Sequence, residues 1–178
     1  MDQLFVVTAQ SPFSQAELSE EMSLAVQIGD VTTANIGQLK TINVNTLPVR
    51  YSDKFYRDLL ALGNQNFMKF AYWNGFTVGG VCARIEANEV DGTQKLYIMT
   101  INVLPAYRRR GIATKLLEHV LSEAAKDATI KEVYLHVQTS NTDARDFYLK
   151  HDFTQTGILE GYYKRIDPTS AFVLSKTL

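Results

Sequence analysis

Cysteine is almost missing from this chain: Cys82 is the only one among 178 residues. A lone thiol cannot close an internal disulfide or supply the paired cysteines of a structural metal site, and it suits a reducing compartment. A surplus of one charge is missing too. Lysine and arginine number 18 against 19 acidic residues, a formal net charge of −1, so no global field draws the chain to nucleic acid. No apolar run approaches the ~20 residues of a membrane span. Residues 1–25 lack the basic start and long apolar stretch of a secretory leader, Leu4 to Val7 being too short. These absences predict a cytoplasmic protein, with the nucleus as a second compartment, that uses no metal and binds neither membrane nor nucleic acid.

What is present suits one globular domain with a sizeable core: 46% of residues are hydrophobic and 21% charged. Residues 1–25, rich in Ser, Gln and Glu, read as a flexible extension with a short helix at Ser14 to Met22. The domain, 26–178, opens with a strand near Leu24 to Ile28. Thr32 or Thr33 can cap a helix with the stripe Ile36, Leu39 and Ile42, which Pro48 ends. Ser52 starts a second helix through Phe55, Tyr56, Leu59 and Leu60. Met68 to Trp73 and Thr77 to Ile85 read as a hairpin around Asn74-Gly75. Lys95 to Val103 is the next strand. An amphipathic helix follows from Ile112 through Leu116, Leu117, Val120, Leu121 and Ala124. Then come a strand at Lys131 to Gln138, a helix capped by Ser140 or Asn141 and running to about Lys150, and short strands at Thr154 to Thr156 and Tyr162 to Ile166. The order is mixed α/β around a central sheet, without repeats.

Chemistry concentrates where a strand meets the long helix, at Val103-Leu104-Pro105-Ala106-Tyr107-Arg108-Arg109-Arg110-Gly111-Ile112-Ala113-Thr114. Backbone N–H groups at a helix start have no intrahelical partners, and the helix dipole adds positive charge there. A basic, glycine-bearing turn at that point is built to hold phosphate. Gly111 removes a side chain where a pyrophosphate would approach, and Ala113 keeps the next turn thin. Elsewhere the residues are ambiguous. His136 alternates with Val133, Leu135 and Val137 and so projects from the opposite face of its strand; alone, it reads first as a hydrogen-bonded core histidine. Tyr97 alone reads as a packed strand aromatic, Asn141 as a helix cap, Tyr148 as core packing and Cys82 as a buried filler.

The run Arg108, Arg109-Arg110, Gly111, Ile112, Ala113 resembles the acetyl-CoA signature of the GNAT acetyltransferase superfamily, in the strand-turn-helix position that family uses. Six residues alone are a weak pattern. The resemblance extends to Tyr51-Ser52-Asp53-Lys54-Phe55-Tyr56, Leu96-Tyr97-Ile98-Met99-Thr100, Tyr134-Leu135-His136-Val137 and Tyr162-Tyr163-Lys164-Arg165. These look like the NatE-type (San) subgroup, N-alpha-acetyltransferases acting on protein amino termini, and the match covers roughly Ile28 to Leu178.

The resemblance implies a GNAT fold: a mixed, mostly antiparallel sheet flanked by about four helices. It implies acetyl-CoA as cosubstrate, held by Arg108 to Thr114, by backbone N–H groups at a strand irregularity near Ile101, Asn102 and Val103, and by Asn141 and Tyr148 along the pantetheine arm. Tyr97 and His136 would hold the water that takes the proton of the attacking amine. Leu47, Pro48, Val49, Tyr51, Met99, Tyr162, Tyr163 and Ile166 would select amino termini starting Met and then a hydrophobic residue. Protein or nascent-chain amino termini are the implied substrates, and subunits of the NatA complex the implied partners.

Two departures from the family pattern stand out. Leu47 replaces a phenylalanine in the loop, and Ala113 ends the cofactor signature where glycine is common. Two other readings stay open: a GNAT acting on lysine side chains or small amines, and a non-catalytic acetyl-CoA-binding subunit.

Overall fold

The computed structural model describes residues 26–61, 65–89 and 91–178. The 1–25 extension and the helix expected within it lie outside the described residues. The elements in chain order are β1 (Val26–Asp30), α1 (Ile36–Thr46), α2 (Asp53–Ala61), β2 (Met68–Trp73), β3 (Phe76–Ala87), β4 (Gln94–Val103), α3 (Ile112–Ala124), β5 (Ile130–Gln138), α4 (Thr142–Leu149), β6 (Thr154–Leu159) and β7 (Ala171–Thr177). The strands form one sheet in the order β1-β2-β3-β4-β5-β7-β6. All neighbours are antiparallel except β4 and β5. Parallel neighbours cannot be joined by a tight turn, so the chain leaves the sheet through α3 between them. This is the expected α/β sheet, mixed and mostly antiparallel, with four helices among the described residues.

Helices cover both faces. On one, Leu116, Leu117, Val120 and Ala124 of α3 pack with Leu96, Ile98, Val133 and Leu135. On the other, Leu39 and Ile42 of α1 and Tyr56 and Leu59 of α2 pack with Met68, Phe70 and Cys82. Burial pushes the Cys82 thiol up to about 12, which makes it the inert filler expected. The β2–β3 hairpin turns on Asn74 (φ 47°) and Gly75 (φ 80°), the two left-handed residues that match strand twist.

Local expectations needed revision at three places. Neither Thr32 nor Thr33 caps α1. Asn35 precedes the helix instead, accepting from the Thr32 N–H at 2.7 Å and donating to the Asp30 carbonyl at 2.9 Å. Tyr162 to Ile166 is not a strand. It follows Gly161 (φ 66°) and lies in the β6–β7 loop, held by Tyr163 N–H to the Thr169 carbonyl at 2.8 Å and Gln138 Nε2 to the Pro168 carbonyl at 2.9 Å. Adjacent tyrosines favour a strand by propensity, yet suit equally a loop whose rings are held by neighbours. The final strand is β7, paired with β5 along its length. Its apolar core, Ala171 to Leu174, is too short to announce itself locally.

Candidate active site

Two neighbouring strands part company at the middle of the sheet. β4 and β5 pair from Gln94↔Ile130 to Ile98↔Leu135, whereas β4 runs on to Val103 and β5 to Gln138. Past Ile98 each strand keeps only its outer partner, β3 or β7. Backbone of Met99 to Val103 therefore faces backbone of His136 to Gln138 across a gap. The expected irregularity in β4 sits two residues before Ile101: Cys82 pairs with Thr100 and Ala83 with Ile98, so Met99 is the extra residue of a bulge. The gap opens into a cavity of about 530 Å³ that Ile101, Asn102, Val103, His136 and Tyr148 help to line.

One end of the cavity is the start of α3. Arg109 (φ 61°) and Gly111 (φ 72°) take left-handed conformations to bend the chain into the helix. A Cβ on Gly111 would meet nothing within 4 Å, so glycine serves here for its backbone freedom and the space beside it is open. No side chain caps this helix and its first turn carries no acidic residue. Its early N–H groups thus face the cavity, where Ile112, Ala113 and Thr114 contribute to the wall. The three arginines separate. Arg108 donates through Nε to the Val103 carbonyl at 3.0 Å. Arg109 reaches across the mouth to Asp143, 3.6 Å away, with both side chains 87% exposed. Arg110 lies over the Trp73 ring at 5.7 Å, and it is absent from the cavity wall.

On α4, Asn141 is the cap, accepting from the Ala144 N–H at 3.2 Å. It also lines the cavity, as does Tyr148. Tyr148 is buried between Phe147 and Phe153, which raises its phenol well above the ordinary value. It is both the core residue and the cavity residue that its position suggested.

The other end is a cluster of rings. Tyr97 sits opposite Tyr134 in the last paired stretch of β4 and β5, their rings stacked at 4.9 Å. His136 follows two residues later, on the face opposite Val133, Leu135 and Val137 as expected. Its Nδ1 lies 3.3 Å from the Tyr97 hydroxyl, which also bonds the Tyr162 hydroxyl at 2.9 Å. Burial lowers the His136 value, partly opposed by the Glu86 carboxylate, so the imidazole is neutral at pH 7. Burial and the hydrogen bond with Tyr162 push Tyr97 far up, and burial with Tyr162 nearby brings Tyr163 up to about 12.

Leu47, Pro48, Val49, Tyr51, Met99 and Tyr163 also line the cavity. Tyr162 stands at the rim, 37% exposed with its ring 4.4 Å from His136. Tyr97 and Ile166 both lie off its wall, Tyr97 behind His136, which its hydroxyl contacts. Reading the sequence missed Glu86, Arg84 and the part played by Tyr134. The Tyr134 hydroxyl donates to Glu86, which Arg84 pairs through Nε at 2.7 Å. The alternation of Tyr134 with His136 was the available signal; the β3 partners had none.

The site joins an uncapped helix start, a split between strands and a partly buried histidine. The acetyltransferase (GNAT) family model matches residues 36–153. The chain is 48% identical over 153 residues to N-alpha-acetyltransferase 50 of Danio rerio, covering 86% of this chain and 89% of that protein. It is 46% identical over 154 residues to the "Probable N-acetyltransferase san" of Drosophila melanogaster, covering 86% and 82%. A solved structure of Arabidopsis thaliana Naa50 in complex with the bisubstrate analogue CoA-Ac-MVNAL superposes with a TM-score of 0.80 at 42% identity, covering 86% of this chain and 99% of that one. The chain belongs to the acetyltransferase (GNAT) family and, within it, to the N-alpha-acetyltransferases.

Proposed function

We propose that the enzyme acetylates protein amino termini that start with Met and a hydrophobic residue, by direct attack of the amine with both substrates bound. The observation that carries this reading is one cavity joining the uncapped start of α3 to the His136 cluster through the split sheet. The Arabidopsis relative binds its bisubstrate analogue as a joined CoA and peptide, which supports the same use of both ends here.

Acetyl-CoA supplies the thioester whose carbonyl carbon the amine attacks, with the CoA thiol as leaving group. The α3 N–H groups, Arg108 and Arg109 would hold its phosphates, with Arg110, over Trp73, at the edge of that turn. Asn141 would bond the pantetheine arm, and Tyr148 would donate a hydrogen bond to the departing thiolate while keeping its proton. The backbone of Met99 to Val103, unpaired on its β5 side, would offer N–H donors for the oxygen that gains charge.

An N-terminal amine has an ordinary pKa near ~8, so about a tenth is already neutral at pH 7 and a modest base suffices. Neutral His136, with the Tyr97 hydroxyl 3.3 Å away, would hold a water that takes the amine proton. No covalent acyl-enzyme is needed. Leu47, Pro48, Val49 and Met99 would receive the methionine side chain, with Tyr51, Tyr162 and Tyr163 bonding the peptide backbone; Ile166, off the wall, would act on a longer peptide. An apolar pocket separates side chains differing by one methylene by only ~1–3 kcal/mol, so the preference is graded.

A lysine amine, near ~10.4, would call for a stronger base. Among the described residues the one carboxylate on the cavity wall is Asp143, at the cofactor end. The reading places the enzyme in the cytoplasm as a partner of NatA subunits, checked by co-purification from that fraction. The deciding experiment incubates purified protein and acetyl-CoA with a Met-Leu-Pro peptide containing an internal lysine, its amino terminus free or blocked. Acetylation of the free form alone is expected. Equal labelling of the blocked form replaces this reading with the lysine one, and no labelling of either favours a non-catalytic role.

A further inference from the structure

Asn102 has a side chain that the proposed chemistry does not use, yet it is buried to 7% exposure and bonded into the core. Its Nδ2 donates to Asn43 Oδ1 of α1 at 2.6 Å, and Asn43 Nδ2 donates to the Tyr56 hydroxyl of α2 at 3.3 Å. Asn43 is 1% exposed and Tyr56 5%. The Asn102 Oδ1 is buried without a partner. An apolar trio could fill the same volume without an orphaned acceptor, so packing alone does not account for these residues. What hydrogen bonds add is direction.

The direction they impose falls on one segment. Asn43 lies in the last turn of α1 and Tyr56 in the first turn of α2, so the chain between them is the loop carrying Leu47, Pro48, Val49 and Tyr51. Asn43 also holds the loop's first residue, its carbonyl accepting from the Leu47 N–H at 2.9 Å. At the far end Tyr51 stacks on Phe55 at 4.2 Å, and Phe55 meets Tyr56 edge-on at 5.2 Å. Asn102 then ties both loop ends to the stretch of β4 that has no β5 partner.

We infer that the buried Asn43–Tyr56–Asn102 trio is a positioning device that sets the distance between the peptide-binding loop and the acetyl-transfer strand, and so sharpens selection of the substrate's first two residues. The inference rests on the peptide reading of this cavity. With the link cut, the loop keeps its residues but not its spacing, so contacts with the peptide side chains weaken. The start of α3 is untouched.

The test compares Asn102→Ala with the wild type on Met-Leu and Met-Ala peptides, measuring KM for peptide and for acetyl-CoA. Expected are a roughly tenfold rise in peptide KM, acetyl-CoA KM within about twofold, and a Met-Leu over Met-Ala preference narrowed about threefold or more. A general loss of folded protein lowers activity on both peptides alike and leaves that ratio unmoved. Asp53→Asn, which breaks the exposed Lys40–Asp53 link between the same two helices, should leave the ratio unchanged. An unchanged ratio in folded Asn102→Ala, an equal rise in acetyl-CoA KM, or an equal effect from Asp53→Asn overturns the inference. If Asn102→Ala does not fold, Tyr56→Phe replaces it: a smaller narrowing supports the inference and an unmoved ratio sinks it. A wild type inert toward both peptides overturns the function reading and this inference together; an active wild type with unmoved variants overturns the inference alone.

Discussion

At the α3 end of the cavity the ligand-facing groups are mostly backbone: uncapped N–H groups behind Gly111, whose neighbours Arg109 and Asp143 are largely in solvent. At the other end His136 and Tyr163 face the cavity, and rings that touch one another hold them, from Tyr134 and Tyr97 behind His136 to Tyr162 at the rim. The first end rests on one left-handed turn and one helix. The second needs β4, β5 and the β6–β7 loop to arrive together. A backbone site therefore tolerates side-chain change and fails when the chain path changes, whereas a ring site fails one side chain at a time.

The comparison breaks most visibly at His136. His136→Ala should lower kcat/KM about 100-fold, within the usual contribution of a positioned base, with acetyl-CoA KM nearly unchanged. A steady-state assay at pH 7 checks this, and full turnover in the variant would move the base elsewhere. Gly111→Val should do the reverse. A β-branched residue at φ 72° costs ~1–2 kcal/mol or more, and its side chain would enter the open space beside the turn. Acetyl-CoA KM should rise about tenfold or more with peptide KM nearly steady; an unaltered acetyl-CoA KM would show that phosphate binds elsewhere.

A smaller effect concerns pH. The folded state holds His136 below its ordinary value, so on acidification the unfolded chain takes up this proton first. Stability from this group is present above about 6.5 and declines as pH falls below it. The wild type should lose more stability than His136→Ala between pH 7 and 5.5 in denaturant titrations, and parallel losses would contradict the cited shift. The smallest change belongs to the solvent-exposed end. Asp143→Asn removes a surface ion pair of ~0–1 kcal/mol, so acetyl-CoA KM should move by no more than about fivefold. A larger change would mean that the Arg109–Asp143 contact organises the mouth.

The same division explains what could be read in advance. The turn at Arg108 to Ala113, the α3 stripe, the Asn74-Gly75 hairpin and the Asn141 cap are decided within a few residues, by dihedral preference and helical spacing. Tyr162 to Ile166 was misread as a strand because its rings are placed by contacts with β5 and not by its own periodicity. Glu86 and Arg84 stayed hidden for a related reason: Glu86 reaches the site through Tyr134, 48 residues further along the chain, and Arg84 through the Met99 sulfur and the Tyr97 ring of the next strand.

By itself the sequence determined that a basic, glycine-bearing turn opens an amphipathic helix, and that one strand carries His136 on the face away from its apolar partners. Both follow from short-range geometry. Only the tertiary structure decided that β4 and β5 would separate after Ile98 and let that turn and that histidine share one cavity. Strand pairing joins residues about 36 positions apart, and no local preference encodes where such a pairing stops. It was also the tertiary structure that tied Asn43, Tyr56 and Asn102 behind the loop from Leu47 to Tyr51, since a buried hydrogen bond exists only once packing has removed the water from around it.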